Sequence, residues 1–370
     1  MNSQNLRSAL LFSSAVMVCG AAILWSAKSR NSEARANRET PAKFVRIDAE
    51  EEKSRRASAL LEQSTRADNE LSYSALSRTV ALVGGKSVTS EAKITRAPRH
   101  LSIEVTSGPQ KGARSGYSQR WFWRRDAGRA LQPYAEVART ADQMAARRAR
   151  LLAKNYTTTL GESQNVAGRA AQVLELRPRY PLDGATGPAR RLLIDRESGL
   201  TLEIESFNCD LKPISRSSLS DLNLKPQITP VTFETPKAIF ASLAGRDWQG
   251  EELGDDSRNA AKKTGFRAPK PTFLPPGFEL DGYGVHRCRT TGVLQLAAFS
   301  RYTDGLNTLT IFAFKPVNAN IQKNMRGFCD FGAGTLSSVE NNGGRLVALG
   351  DLRSKTLQRV LASTKFEMAN

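Results

Sequence analysis

The amino-acid sequence predicts an α+β fold, in which one large antiparallel sheet carries helices on its concave side and a smaller α/β domain follows. Several segments alternate apolar and polar residues, as in 101–105 and 200–205, and a period of two is typical of half-buried strands. Helical patterns interrupt these strands. A proline-rich stretch before Gly277 then separates a second group of strands from the first.

The first domain is predicted to begin with a helix at about 48–66. Asp48 can cap this helix, and the three glutamates that follow favour the positive end of its dipole. From Leu71 onward the period changes to two. Thr140 and Gln143 then form a capping-box pattern that begins a second helix, which runs to about Lys154. Strands are expected again at 155–162, 170–177, 190–196 and 199–207.

These patterns divide the chain into five parts. We expect a signal peptide or membrane anchor at 1–27, a linker at 28–46 and the first domain at 47–222. A second linker at 223–263 contains a short helix near 236–245. The second domain at 264–370 ends in a helix at 354–363, where Ser354 can cap the first turn.

The N-terminal segment predicts export. Residues 9–27 are almost wholly apolar or small, which is close to the roughly 20 residues that span a bilayer as a helix. A cleaved signal peptide is the alternative, because Gly20, Ala21 and Ala22 offer a small-residue cleavage site. Both alternatives stay open. Either one predicts a periplasmic or extracytoplasmic protein, anchored to the inner membrane where the segment is retained.

The formal net charge of +18 predicts an anionic partner, and export argues against nucleic acid. Residues 96–154 contain thirteen lysines and arginines against four acidic residues. Guanidinium groups bind phosphates and carboxylates in bidentate fashion. A solvated basic surface is the alternative reading. The candidate anion-binding residues are Arg120, Arg124, Arg125, Arg147, Arg148 and Arg150.

A curved apolar face beneath helices predicts a groove for an acyl chain, and an ordinary packed core is the alternative. The candidates share an apolar side chain at alternating strand positions. They are Leu101, Ile103, Val105, Trp121, Trp123, Leu202 and Ile204.

No signature of an enzyme, a cofactor or a metal site stands out. The chain has two histidines, no G-x-S-x-G motif and no metal-type cysteine or histidine spacing, so we expect a protein that is not an enzyme. Cys288 and Cys329 are a candidate disulfide that would contribute about 4 kcal/mol by closing a loop of about 40 residues. Unpaired thiols are the alternative.

Two segments identify a family. FLPPGFEL at 273–280 and YTDGLNTLTIF at 302–312 resemble the C-terminal domain of the RseB/MucB family of extracytoplasmic regulators of sigma-E signalling. Leu71-Ser72-Tyr73 is similar to the first strand of that family. NVAGRAAQVLELRPR at 165–179, LLIDRESGLTLEIESF at 192–207 and GAGTLSSVENNGGRLVALGDL at 332–352 resemble its later strands, in the family's order.

The resemblance implies a LolA/LppX-like half-open β-barrel followed by a smaller α/β domain. It also implies a regulator that binds the extracytoplasmic part of a membrane anti-sigma factor and shields it from proteolysis. Lipid or lipoprotein acyl chains in the large domain would cause release. The alternative is a periplasmic lipid or lipoprotein carrier of the LolA/LppX type. A second domain favours the regulator, because a carrier needs only the first.

Overall fold

We analysed a computed structural model of the chain. It describes residues 49–83, 85–118, 121–125, 127, 132–137, 141–180, 189–208, 211–228, 233, 250–290, 293–315, 335–341 and 344–369.

Within these residues there are four helices. They are α1 (Ala49–Glu70), α2 (Ala141–Asn155), α3 (Ser257–Thr264) and α4 (Ser354–Ala362). The strands before α3 are β1 (Tyr73–Val83), β2 (Lys86–Ala97), β3 (His100–Ser107), β4 (Arg114–Ser118), β5 (Trp121–Arg125), β6 (Gln132–Val137), β7 (Tyr156–Val166), β8 (Arg169–Pro178), β9 (Arg190–Asp195), β10 (Thr201–Phe207), β11 (Pro213–Asn223) and β12 (Gly250–Gly254). Those after α3 are β13 (Lys270–Pro271), β14 (Glu279–Thr290), β15 (Val293–Thr303), β16 (Thr308–Phe314), β17 (Thr335–Asn341), β18 (Gly344–Gly350) and β19 (Thr364–Lys365).

Seventeen of the strands form one sheet that does not close on itself within the described residues. Its order is β7-β8-β9-β10-β11-β1-β2-β3-β4-β5-β6-β12-β14-β15-β16-β18-β17. Neighbours are antiparallel except β6 and β12, which are parallel. We call β1–β11 with α1 and α2 the N-terminal domain, and β12–β19 with α3 and α4 the C-terminal domain. The parallel pair joins them.

The predicted fold class, a half-open antiparallel barrel with helices on one face followed by a smaller α/β domain, is confirmed. The predicted helices at 48–66, 140–154 and 354–363 correspond to α1, α2 and α4. The prediction that Ser354 caps α4 is wrong, because the N-cap position is Arg353 and no side-chain capping hydrogen bond forms there. The short helix expected near 236–245 lies outside the described residues.

The predicted linker 223–263 needs a correction, because it contains two ordered elements. β12 pairs with β6 and β14. α3 begins after Asp256, whose side chain accepts a hydrogen bond from the Arg258 N–H, and it ends at Gly265 in the left-handed conformation. Ala260 of α3 is 2% exposed inside the C-terminal core. The charged residues around 255–263 suggested a solvated linker, but the small apolar Ala260 fits against a sheet.

α1 covers one face of the N-terminal sheet, which we call the helix-side face. Ala57 is fully buried there, and Leu60 and Leu61 pack beside it. The sheet contributes Leu174 and Ile194, both 0% exposed. This packing explains the narrow apolar stripe of α1, whose other positions are mostly charged and exposed.

The C-terminal sheet is buried on both faces. α3 and α4 cover one face, where Leu309, Ile311 and Leu357 are all 0% exposed. The opposite face carries a separate cluster that includes Phe299 and Phe312. Because consecutive residues of a strand point to opposite faces, Ile311 and Phe312 belong to different clusters.

Candidate functional site

Three of the predicted groove residues share the helix-side face. Leu101, Ile103 and Val105 are 4%, 7% and 8% exposed on β3. Leu101 and Ile103 pack in one cluster with Tyr117 of the neighbouring strand. The structure therefore brings the β3 residues together, as the period of two predicts.

Ile204 also lies on this face, but Leu202 does not. The register of β10 against β9 shifts between Thr201 and Glu203, which is a β-bulge. Ile204 packs against the cluster beneath α1. Leu202 packs in another cluster, with Val173 and its neighbours. The expectation that the alternating residues of β10 share one face is wrong here, because the bulge inserts one residue into the alternation.

Trp123 lies on the opposite face from Tyr117. It pairs with Gly116, between Ser115 and Tyr117 on β4. A Cβ atom added at Gly116 would overlap the indole ring of Trp123, so the missing side chain makes room for the ring. The side chain of Trp121 lies outside the described residues. Of the seven groove candidates, four thus lie on the helix-side face and two lie on the opposite face.

α1 is held over the helix-side face by few large contacts. Its fully buried positions are Ala57, Ser64, Ala67 and Asp68, which are small or polar. The Ser64 hydroxyl lies 2.6 Å from that of Thr201, in a hydrogen bond. This contact surface buries little apolar area. Displacing α1 from the sheet therefore costs less free energy than displacing a central strand would.

A second polar site joins α2 to the C-terminal domain. The Arg147 guanidinium donates to the Leu280 carbonyl oxygen and forms an ion pair of 3.5 Å with Asp281. The Arg148 Nε donates to the Gly305 carbonyl oxygen at 3.0 Å. We call the contacts between α2–β7 and residues 277–281 and 304–307 the joint.

Glu279 is the acidic centre of the exposed edge of the joint. Its carboxylate lies 2.6 Å from Arg150 Nη2 and 2.7 Å from Lys154 Nζ. Hydrogen bonds from Arg150 and then Lys154 lower the pKa of Glu279 to about 2. The carboxylate therefore stays ionised over the whole neutral range.

Asp304 is the buried centre of the joint. The Tyr156 hydroxyl donates to its Oδ2 at 2.7 Å, and Asn307 Nδ2 donates to the same oxygen at 3.0 Å. Its Oδ1 accepts from the backbone N–H groups of Leu306 and Asn307. The Asn155 amide donates to the Asp304 carbonyl oxygen at 2.9 Å. These bonds satisfy a carboxylate that is 3% exposed.

Two glycines allow the close approach. Gly305 has φ +98°, and a Cβ there would lie 2.8 Å from Leu151 Cβ. Gly277 has φ +86°, and a Cβ there would lie 2.8 Å from Asn155 Oδ1. Both positions require a left-handed backbone and the absence of a side chain. They are the glycines of the Pro-Pro-Gly and Asp-Gly turns.

Buried charges extend the joint beneath α1. Burial raises the pKa of Asp68 to about 7, against the opposing effect of Arg96 and Arg148. Burial, followed by the nearby charge of Arg190, lowers the pKa of Arg148 to about 10. Burial also raises the pKa of Asp351 to about 6. Ionisable groups of α1, α2 and both domains therefore influence one another at this place.

The structure gives the predicted anion-binding arginines different surroundings. Arg147, Arg148 and Arg150 bind groups of the C-terminal domain. Arg125 is half-buried on β5. Arg120 and the side chain of Arg124 lie outside the described residues. On α2, the Arg147 side chain is 21% exposed and that of Arg150 is 53% exposed, so binding of an external anion stays a prediction.

The joint was not predicted from the sequence. Asn155 and Tyr156, whose side chains donate hydrogen bonds to Asp304, were expected only as residues of the strand at 155–162. One signal for the joint was available in the sequence. The helix α2 has more basic than acidic residues, and the second domain contains two turn glycines that allow another element to approach closely.

The remaining site predictions fall largely outside the described residues. This holds for Cys329 and for the side chain of Cys288, so the disulfide stays a prediction. In the described part of the chain, no group of three His, Cys, Asp or Glu side chains is arranged to hold a metal ion. Of the helices that the structure describes, none has the length and apolarity to cross a membrane. Residues 9–27 lie outside that part.

The order of the strands, the helix-side face and the joint define a two-domain protein built on a half-open antiparallel barrel. Residues 56–237 match the model of the MucB/RseB N-terminal domain. The family predicted from the sequence is thus confirmed for these residues, which belong to the MucB/RseB N-terminal domain family.

Solved structures agree with this fold. MucB in complex with MucA(peri) is 22% identical with a TM-score of 0.53, covering 85% of this chain and 100% of that one. The MucA/MucB complex of Pseudomonas aeruginosa is 21% identical with a TM-score of 0.54, covering 85% and 100%. Lipoprotein LppX of Mycobacterium tuberculosis has a TM-score of 0.32 at 13% identity, covering 47% and 99%, which is too weak to carry an argument. No curated protein is significantly similar in sequence.

Proposed function

We propose that this protein is an exported regulator that binds the extracytoplasmic segment of a membrane anti-sigma factor. The observation that carries the proposal is the similarity to MucB, whose structure was solved with MucA, over 85% of the chain and in both domains. The export segment predicted at 9–27 supports a location outside the cytoplasm.

The joint supports a regulator over a lipid carrier. Its contacts tie the N-terminal domain to a second domain through a buried carboxylate, two arginines and two tight glycine turns. A carrier would have no use for this connection. A regulator needs it, since occupancy of one domain has to change the affinity of the whole chain for its partner.

Capture from membranes tests partner binding. The tagged full chain is used to isolate proteins from detergent-solubilised membranes of the source cells. We expect a protein with one membrane span whose gene adjoins that of a sigma factor. The same capture is carried out with Gly305→Val, a variant expected to disturb the joint, to test whether partner binding depends on the contact between the domains. If the wild-type chain recovers no single-span partner, the proposal fails.

We further propose that an acyl chain reaches the helix-side face by displacing α1. Ile204 packs in the cluster beneath α1, whereas Leu101 and Ile103 pack in a neighbouring cluster on the same face of the sheet. An acyl chain would contribute about 0.8 kcal/mol for each buried methylene, so a chain of many methylenes would offset the contacts of Ala57, Leu60 and Leu61 that α1 loses. Asp68 lies on α1 beside Arg148 of the joint, so displacement of α1 changes the surroundings of the joint.

A disulfide lock tests this step. Ser64→Cys and Thr201→Cys replace two hydroxyls that lie 2.6 Å apart, so a bridge would fasten α1 to β10. We expect the oxidised double variant to lose bound lipid in native mass spectrometry, and reduction to restore it. Ser64→Cys alone, oxidised in the same way, controls for the other cysteines.

The two proposals fail separately. Lipid that binds equally well to the locked chain would contradict displacement of α1 and leave partner binding untouched. A chain that binds lipid with the expected dependence on the lock, but recovers no anti-sigma factor, would favour the lipid carrier.

A further inference from the structure

The outer surface of the C-terminal helix layer is strongly basic. This layer consists of α3, β13, β19 and α4, and it covers one face of the C-terminal sheet. Its two segments, 257–273 and 353–369, contain nine lysines and arginines and a single acidic residue, Glu367. All nine cations are exposed. We call this surface the basic layer.

Acidic neighbours pair with some cations of the basic layer. Asp256 pairs with Arg258, and Glu367 pairs with Arg267 at 3.3 Å. Among the described residues, Lys262, Lys355 and Lys365 form no ion pair. The layer therefore differs from the joint, where Glu279 and Asp281 engage the cations of α2.

Two lysines face each other directly across a strand pair. Lys270 of β13 is the partner of Lys365 of β19. Side chains at such positions start about 5 Å apart, and like charges placed there repel each other. The Lys270 ammonium lies over the Tyr283 ring at 5.7 Å, which relieves only part of the repulsion. An anion bound between these lysines would remove it.

Apolar groups accompany the cations. The Arg359 guanidinium lies 3.8 Å from the centre of the Phe273 ring, at the surface of the layer. Met368 is 56% exposed, more than any other large apolar side chain among the described residues. It forms an isolated bridge with Phe266, close to the end of α3. Cations around an exposed apolar side chain are typical of surfaces that rest on lipid head groups.

We propose that the basic layer docks on the phosphates of an anionic lipid bilayer. The cations are spread over two helices and a short ribbon, which suits the diffuse field of many head groups. The layer does not overlap the joint, whose C-terminal residues lie at 277–281 and 304–307, so docking is compatible with the arrangement of domains described above. This inference does not depend on the proposed function.

Vesicle binding by the full chain tests this proposal. We compare vesicles of phosphatidylcholine alone with vesicles that contain roughly one third phosphatidylglycerol. Neutral vesicles report whatever residues 9–27 contribute, and that contribution is the same in every variant. We expect at least about tenfold tighter binding to the anionic vesicles, which weakens as salt rises from about 0.1 M to about 0.5 M.

Charge reversal locates the surface. Lys270→Glu with Lys365→Glu should reduce binding to anionic vesicles about tenfold or more, and Lys262→Glu with Lys355→Glu should do the same. Lys86→Glu with Lys212→Glu is the control, since it changes the net charge equally at exposed positions of the N-terminal domain. Circular dichroism of each variant checks that the fold is retained.

Three results would overturn the proposal. They are equal binding to neutral and anionic vesicles, an equal loss in the control variant, and saturable binding of polyglutamate through Lys270 and Lys365 without binding to anionic vesicles. The last result would assign the basic layer to an acidic protein instead.

Discussion

Two basic regions of this protein differ in whether their cations bind groups of the same chain. The cations of α2 are bound within the chain, where Arg148 reaches the Gly305 carbonyl oxygen and Arg150 pairs with Glu279. The cations of the basic layer remain exposed, and Lys270 even faces Lys365. The comparison teaches that a run of positive charge in a sequence locates cations without showing whether the protein itself supplies their counter-ions.

The largest expected effect on stability comes from a substitution that introduces a steric clash into the joint. Gly305→Val should lower the free energy of unfolding by about 3 kcal/mol, because it combines a left-handed backbone with overlap against Leu151. Chemical denaturation measures the change. Gly254→Ala is the control, since nothing lies within 4 Å of a Cβ there. An equal loss in both variants would contradict a specific role for Gly305.

The next largest effect on stability comes from a substitution that removes one buried hydrogen bond. Tyr156→Phe takes away the hydroxyl that donates to Asp304, and it should lower the free energy of unfolding by about 1–2 kcal/mol. The remaining donors to Asp304 limit the loss. Tyr180→Phe controls for the change of residue type, because Tyr180 is 50% exposed. A neutral result for Tyr156→Phe would mean that the joint does not hold the domains together.

A pH dependence sharpens the comparison further. The pKa of Asp68 is raised to about 7 in the folded protein, so folded Asp68 keeps its proton at a pH where the unfolded chain has lost it. The free energy of unfolding should therefore fall as pH rises from about 4 to about 7. The fall attributable to Asp68 should be on the order of 3 kcal/mol.

Denaturation of the wild type and of Asp68→Asn at pH 5 and at pH 8 measures this contribution. The variant should lose most of the difference between the two pH values, whereas Asp351, with a pKa raised to about 6, still contributes in both proteins. Identical pH profiles would show that Asp68 does not titrate in this range.

The smallest effects concern exposed charges. Glu279→Gln should lower the free energy of unfolding by about 0.5–1 kcal/mol at neutral pH, because it removes ion pairs to Arg150 and Lys154. This difference should disappear toward pH 2, where Glu279 itself takes up a proton. Lys365→Glu in the basic layer should change stability by less than about 0.5 kcal/mol in thermal unfolding. A larger loss there would make the basic layer structural.

Much of the fold could be predicted from the sequence, because strand alternation and the apolar period of a helix are local signals. Leu101, Ile103 and Val105 follow the expected period, and α2 begins at Ala141, close to its predicted start. The bulge at Leu202 could not be predicted, since it depends on how β10 pairs with β9.

The candidate site was predicted less well than the fold. The arginines of α2 were predicted to bind an external anion, but Arg148 donates to the Gly305 carbonyl oxygen and Arg150 pairs with Glu279, which lie more than a hundred positions away along the chain. No local pattern connects residues over such distances. The close approach of α2 to the glycines of the two turns is likewise absent from any local pattern.

The parallel pairing of β6 with β12 has a consequence for the order of folding. Ala135 pairs with Glu251, far along the chain, whereas β7–β11 between them can pair among themselves. Contacts between such distant residues form slowly. We therefore expect the pairing of β6 with β12 to form last during folding. Until it forms, β6 has an unpaired strand edge, which favours aggregation.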